Sequence, residues 1–196
     1  MNTIVELKEK WFQLEKAGDH KGAVDLYYDA LFEQVIEHFV KKENNGNLTK
    51  VDVLFSILGC SPEPIILAAQ FLKPTHHIIL HDEKMANNEN NRRFLDKFLK
   101  GDYEMAEFSD ESFNGIYGTL KEQMAINAGQ TYAINITGGK KSMAACAGIF
   151  ARDFNNYLLY IDSADYNPDI RRPTPGTENM HIIYSPLENL NIDGQS

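Results

Sequence analysis

The chain is 196 residues long, enough for one good core together with a helical extension and too short for two full-size domains. Its formal net charge of −9 excludes a general nucleic-acid binder, DNA included, because such affinity rests on a broad basic surface, whereas a small anionic ligand needs only a local basic pocket. Two cysteines, Cys60 and Cys146, with no CxxC and no spaced Cys/His set, exclude a zinc site and a disulfide framework; with no membrane-length apolar run and no signal segment, a reduced cytoplasmic protein without metal or cofactor is expected.

The first forty residues place Leu7, Trp11, Leu14, Ala23, Leu26, Tyr27, Leu31, Val35 and Phe39 at helical spacing, and Ala17-Gly18-Asp19-His20 breaks the pattern. A helical hairpin is predicted. Gly18, Ala23, Tyr27 and Ala30 also match half of a tetratricopeptide-like unit, but one unit cannot bury its own faces and no second copy follows. Residues 1–45 therefore read as a packing extension, with its aromatic residues in a core and Lys41-Lys42-Glu43 as a solvated linker.

From Val51 the pattern changes to short apolar β-rich runs, predicted at 51–58, 76–81, 103–108, 131–137, 156–162 and 180–184. Helices are predicted over 63–73, 85–100, 112–127 and 141–153. This alternation predicts an α/β domain over residues 50–190: a Rossmann-like, doubly wound, mainly parallel sheet covered on both faces.

In such a sheet, ligands bind beyond the carboxyl ends of the strands, where strand order reverses. Two loops with unusual chemistry fall there. After the first strand comes Gly59-Cys60-Ser61-Pro62-Glu63-Pro64, with Gly59 read as freeing the turn, Ser61 as a helix N-cap and Pro62 as the first helical residue. After the fourth comes Thr137-Gly138-Gly139-Lys140-Lys141-Ser142, where bare backbone N–H groups and two ammonium groups at a helix N-terminus predict an anion, phosphate above all. The dinucleotide pattern G-x-G-x-x-G is absent. The Walker pattern fails too, because Lys141 follows Gly139-Lys140 where Ser or Thr is needed and Ile134 stands at the first glycine position.

The remaining polar clusters read more plainly. His81-Asp82-Glu83 ends the second strand at the ligand edge and is placed to meet a base or ribose, or is ordinary loop polarity. His76 and His77 open that strand at the opposite end and read as structural or solvated. Asn87, Asn88, Asn90 and Asn91 read as an irregular, solvated helix start, not as a site. Arg171 and Arg172 fall in a Pro/Gly-rich stretch read as a flexible surface segment, with a lid closing on phosphates as the alternative.

Asp52-Val53-Leu54-Phe55-Ser56-Ile57-Leu58-Gly59-Cys60-Ser61-Pro62-Glu63-Pro64, Leu72-Lys73-Pro74 and Asn135-Ile136-Thr137-Gly138-Gly139-Lys140-Lys141-Ser142-Met143 occur together in order. Joined by Arg171-Arg172-Pro173-Thr174-Pro175-Gly176-Thr177-Glu178, this set resembles the CARF (CRISPR-associated Rossmann fold) family over nearly the whole chain. The resemblance implies a homodimer that binds a cyclic oligoadenylate, commonly the four-membered ring, across its two-fold axis in type III CRISPR immunity. Carried over by position, Gly59, Cys60 and Ser61 would line one wall of the pocket, Thr137, Gly138, Gly139, Lys140, Lys141 and Ser142 the other, with Asp82 nearby. Lys141 matches the family's Thr-Gly-Gly-x-Lys lysine, while Lys140 stands where a small or polar residue is common, which leaves open which lysine points inward.

Three readings follow. The first is a sensor that passes a dimer rearrangement to an effector domain, one following in a longer chain or acting in trans. The second is a metal-independent ring nuclease, with Lys141 and the Gly138 and Gly139 amides stabilising the phosphorane and Ser61 orienting the 2′-OH. The third is a generic nucleotide-binding Rossmann module.

Overall fold

Thr3 opens the first helix with a capping box, its backbone N–H donating to Glu6 Oε2 at 2.8 Å while its hydroxyl accepts from Glu6 N. The structure, a computed structural model, describes residues 3–44 and 48–186. The two ends of the sequence-based domain boundaries, residue 45 and residues 187–190, lie outside the described residues. The chain divides into two compact units, one of residues 3–44 with 162–179 and one of residues 48–161 with 180–186.

In the first unit, helix α1 (Ile4–Lys16) ends at Gly18, whose φ of +77° makes the left-handed turn that glycine allows. Asp19 caps α2 (His20–Leu26) by accepting from Gly22 N at 3.0 Å. A π-helical turn, Tyr27–Leu31, then runs into α3 (Phe32–Glu43). Leu7, Trp11, Ala23, Leu31, Val35 and Phe39 are buried as helical spacing predicts, Leu14, Leu26 and Tyr27 of the same set are half-buried, and Phe32, outside it, is buried too. Tyr27 stacks on Phe32 with ring centroids 5.3 Å apart, so the aromatic residues here form core.

The second unit contains strands β1 (Val53–Ile57), β2 (His76–His81), β3 (Glu104–Glu107), β4 (Tyr132–Asn135) and β5 (Tyr157–Ser163), interleaved with helices α4 (Glu63–Leu72), α5 (Glu83–Ala86), α6 (Glu89–Leu99), α7 (Phe113–Ile126) and α8 (Lys141–Asp153). Two short strands, β6 (Tyr166–Asn167) and β7 (Arg172–Pro173), precede β8 (Glu178–Tyr184). The main sheet runs β3-β2-β1-β4-β5-β8, and β3, β2, β1, β4 and β5 pair in parallel. Consecutive strands step outward from β1 in one direction, and from β4 the chain steps outward in the other, which is the doubly wound topology expected. The predicted helix over 85–100 is broken, because Asn88 accepts from Asn91 N at 3.2 Å and so starts α6 afresh after the short α5. Among the described residues no helix is long and apolar enough to cross a membrane.

On one sheet face Val53, Phe55, Ile57, Ile78, Leu80 and Ile134 pack against Ile116 and Leu120 of α7 and Met143, Cys146, Ala147 and Phe150 of α8. Alternation turns Ser56 and His77 out of that core to the other face, where the Ser56 hydroxyl meets His77 Nε2 at 3.0 Å and His77 Nδ1 has no partner. Burial drives the His77 pKa down to about 3. The unfolded chain takes up a proton near pH 6.5 that the folded chain refuses, so the contribution is complete above that value and is lost as pH falls toward 3. Urea unfolding should therefore show about 2 kcal/mol less stability at pH 5 than at pH 7 from this group. In His77→Gln that part of the pH dependence should vanish, and an unchanged slope in the variant would remove the assignment.

The stretch read as a flexible segment carrying Arg171 and Arg172 is an ordered part of the first unit. β6 and β7 pair antiparallel, and the Thr174 hydroxyl donates to Asp165 at 2.7 Å. The guanidinium of Arg172 donates to Glu15 Oε1 at 3.1 Å, while the other oxygen of this buried carboxylate lies 2.8 Å from His20 Nδ1. A buried carboxylate without partners is costly. Arg172 and His20 supply those partners, so the arm packs on α1.

Candidate functional site

Strands β1 and β4 are neighbours with Ser56 opposite Asn135, so the loops that follow them leave the sheet edge side by side. Their main chains touch. A Cβ added at Gly59 would lie 2.7 Å from Gly139 N and 3.1 Å from Gly138 Cα; one added at Gly138 would lie 2.2 Å from the Ile57 carbonyl oxygen and 2.7 Å from Gly59 N. Real Cβ atoms do not approach backbone that closely, so glycine stands at 59 and 138 because no side chain fits between the loops. Gly59 was read as freeing the turn, but it keeps a negative φ, and close approach is the reason for it. Gly139 alone of the three needs glycine's backbone freedom, with φ at +78°.

Two buried asparagines fix these loops. Asn135, at the end of β4, donates from Nδ2 to the Pro64 carbonyl at 3.0 Å, while its Oδ1 accepts from Thr137 N at 3.1 Å and from the Thr137 hydroxyl at 2.7 Å. The same hydroxyl accepts from Ile161 N at 2.8 Å. Thr137 thus spends its polar side chain holding the turn. From α6, fully buried Asn91 donates from Nδ2 to the Gly59 carbonyl at 3.1 Å. The Asn87–Asn91 cluster read as a solvated helix start therefore holds one cap, Asn88, and one anchor of the Gly59 loop. Sequence reasoning passed over Asn91 and Asn135; an asparagine at the carboxyl end of a buried apolar strand was the available signal for the second.

The helices that begin at these loops differ from the others that start from a loop. Thr3, Asp19, Asp82, Asn88 and Ser112 cap α1, α2, α5, α6 and α7 with side-chain oxygens, whereas no side-chain oxygen caps α4 or α8, and at α8 only the Met143 sulfur meets Lys140 N, at 3.4 Å. Ser61 was read as the cap of α4, but the cap position falls on Pro62, and the proline inside the first turn is Pro64. Proline has no hydroxyl to offer the first-turn amides, and Ser61, one residue too early, stays exposed beside exposed Cys60. Both helix N-termini at the switch point present the positive end of a helix dipole, but the first-turn amides on offer are those of α8, because in α4 Pro62 and Pro64 carry no N–H and Ile65 N donates to the Pro62 carbonyl at 3.1 Å.

The paired lysines separate. Lys140 is the N-cap residue of α8, and its ammonium group pairs with Glu111 on the loop before α7. Lys141, the first residue of α8, is exposed and has no carboxylate partner among the described residues, and exposed Ser142 follows it. Asp82 sits on the adjacent loop after β2 and is committed to α5, accepting from Met85 N at 2.8 Å. Gly59, Gly138 and Gly139 are thus in contact, with Cys60, Ser61, Lys140, Lys141 and Ser142 on the segments leading from them. The geometry offers backbone amides, one hydroxyl-bearing loop and one uncommitted cation to an anion.

No protein-family model matches the chain. It is 30% identical over 199 aligned positions to the CRISPR system endoribonuclease Csm6 of Thermus thermophilus, an alignment that takes in 97% of this chain and 41% of that protein. The chain thus spans about two fifths of the length of the curated relative it matches. Among solved structures, Can2 from Sulfobacillus thermosulfidooxidans in complex with cyclic tetra-adenylate superposes with a TM-score of 0.50 at 17% identity, over 78% of this chain and 39% of that one. Enterococcus italicus Csm6 bound to cyclic hexa-2′-fluoro-hexa-dAMP gives 0.50 at 10% identity, over 73% and 44%. The structural likenesses establish the fold; the sequence match and the ordered motifs support the resemblance to the CARF family.

Proposed function

We propose, from the premise that the chain is a CARF domain, that it binds a cyclic oligoadenylate across the two-fold axis of a homodimer and serves as a sensor in type III CRISPR signalling. The observation that carries this reading is the N-terminus of α8, whose first turn no side-chain oxygen caps, opening from a loop in backbone contact with the loop before α4 and carrying Lys141, which has no carboxylate partner among the described residues. Such an arrangement suits a phosphodiester better than a nucleoside triphosphate, whose phosphate chain needs the longer Walker loop that is missing here. One protomer presents half a ring of donors. A C2 dimer presents the same half twice, which matches a ring built from an even number of identical nucleotides. The Csm6 relative and the two ligand-bound neighbours, one with cyclic tetra-adenylate and one with a cyclic hexanucleotide, support the ligand class.

Within this reading Lys141 contacts phosphate, Ser61 and Ser142 offer hydroxyls to phosphate or ribose, and Gly59, Cys60, Gly138 and Gly139 present backbone. Thr137 positions the second loop. Lys140 stays with Glu111 at the rim, and Asp82 shapes the neighbouring turn. Calorimetry with cyclic tri-, tetra- and hexa-adenylate, with light scattering on the same samples, tests the proposal. The expected result is tight binding of one ring per two chains, with the tetra-adenylate preferred. Absence of binding to all three rings, or one ring on a monomer, would overturn it.

A further inference from the structure

Lys140, at the start of α8, meets Glu111 on the loop that joins β3 to α7, and both elements open from the carboxyl-end edge of the sheet. That loop holds Glu111 in a defined turn. Phe108 N donates to the His81 carbonyl at 3.0 Å, Ser112 N donates to Asp110 Oδ1 at 2.7 Å, and the Ser112 hydroxyl accepts from Gly115 N at 3.1 Å. Asp110 is spent on this turn, and the bonds from Ser112 hold its carboxyl below the usual carboxylate range. Glu111, the next residue, takes no part in these bonds and projects to the Lys140 ammonium.

The pair fixes the charge that the α8 side of the site shows to an anion. Lys141 supplies one positive charge and the N-terminus of α8 about half of one, while Lys140 and Glu111 cancel. The Asp82 carboxylate on the neighbouring loop lowers the balance for every anionic ligand alike. Half of a cyclic tetra-adenylate brings two phosphates to each protomer, and half of a cyclic hexa-adenylate brings three. The larger ring thus asks for one more positive charge per protomer, and the charge that would supply it is the one Glu111 cancels. Both partners are about half exposed, so the pair is weak and a third phosphate would draw Lys140 away. Glu111 would then face that phosphate without its cation, like charge against like.

We propose that Glu111 is a specificity-determining residue, which holds the site to rings of few phosphates by cancelling Lys140; this role rests on the ring-binding function proposed above. Glu111 needs no contact with the ring, because it acts through charge. Discrimination of this kind comes from a repulsive element set against the wrong ligand, not from an added bond to the right one. Glu111→Gln keeps the shape of the side chain and frees Lys140 for a third phosphate. Lys140→Ala does the reverse and bares the carboxylate. Removing both charges together returns the balance of the parent, because the pair adds no net charge.

Calorimetry with cyclic tetra-adenylate and cyclic hexa-adenylate on the parent chain, Glu111→Gln, Lys140→Ala and the double variant tests this role. Glu111→Gln should tighten the hexa-adenylate roughly tenfold, about threefold from each protomer as suits an exposed charge pair, and the tetra-adenylate by less than about threefold in all. Lys140→Ala should move the ratio of the two affinities the other way, toward the tetra-adenylate, and the double variant should return it to that of the parent. High salt should shrink both shifts, since the charges are exposed. If the pair serves only to tie the loop before α7 to α8, all three variants will weaken both rings together. That outcome, or a ratio that Glu111→Gln leaves unmoved, overturns the role of Glu111 while ring binding stands. If the parent binds neither ring, the function proposed above and the role of Glu111 fall together.

Discussion

Gly138→Ala should abolish ring binding and cost about 3 kcal/mol of stability, the upper end of what overpacking a tight site does. The new methyl group would lie 2.2 Å from the Ile57 carbonyl oxygen and 2.7 Å from Gly59 N, and both neighbours are backbone. A flexible side chain could swing away, but a carbonyl at the end of a fully buried strand cannot move without shifting β1. The two loops would have to part, and with them the two helix N-termini that the ligand needs together. Gly118→Ala is the matched control, because Gly118 sits exposed within α7 with nothing within 4 Å of the added carbon. It should leave binding intact and raise stability by about 0.5–1 kcal/mol through helix propensity. Urea unfolding and calorimetry on both variants decide the matter, and a Gly138→Ala protein as stable as the parent would show that the loops are free to separate.

Lys141→Ala should weaken cyclic tetra-adenylate binding by about 10²- to 10⁴-fold. A hydrogen bond to a charged partner is worth about 1.5–3 kcal/mol, and in a two-fold complex each substitution is made twice, so roughly 3–6 kcal/mol is removed. Lys140→Ala should cost far less, because that ammonium is already paired with Glu111 at the rim. The contrast between adjacent lysines is the informative measurement. Equal losses would mean that Glu111 releases Lys140 to the ligand; a larger loss at Lys140 would reverse the assignment. The Lys141→Ala complex should also depend less steeply on salt than the parent, since fewer phosphate contacts remain to be screened.

The strand-helix alternation and the two switch-point loops were legible in the sequence because each is local: apolar runs of strand length, helical spacing, and glycines at the ends. The hairpin of the first unit was legible for the same reason, with Trp11, Ala23, Val35 and Phe39 buried as their spacing requires. What escaped were choices made by partners distant along the chain. Lys140 and Lys141 cannot be told apart until Glu111, about thirty positions earlier, is brought to one of them. Asn91 is a polar residue in a polar run until the fold sets Gly59 beside it. The arm around Arg172 reads as a loop because its anchor, Glu15, lies on the first helix. Ser61 failed as a cap through a one-residue offset in the helix start, a distance at which the sequence signals of proline and serine overlap.

The uncapped starts of α4 and α8 also say something about the protein without its ligand. Each ordinary cap is worth about 1 kcal/mol to the helix that carries it, and five helices of this chain have one. Of the helices that start from a loop, α4 and α8 lack one, and at α8 the stability a cap would add is withheld, which leaves first-turn amides for an anion. On the function proposed above, ligand binding completes the fold as much as it occupies a site. A variant engineered for heat resistance by capping α8 would gain its stability from the same donors on which the proposed recognition depends, so robustness and sensitivity in this domain draw on one reserve.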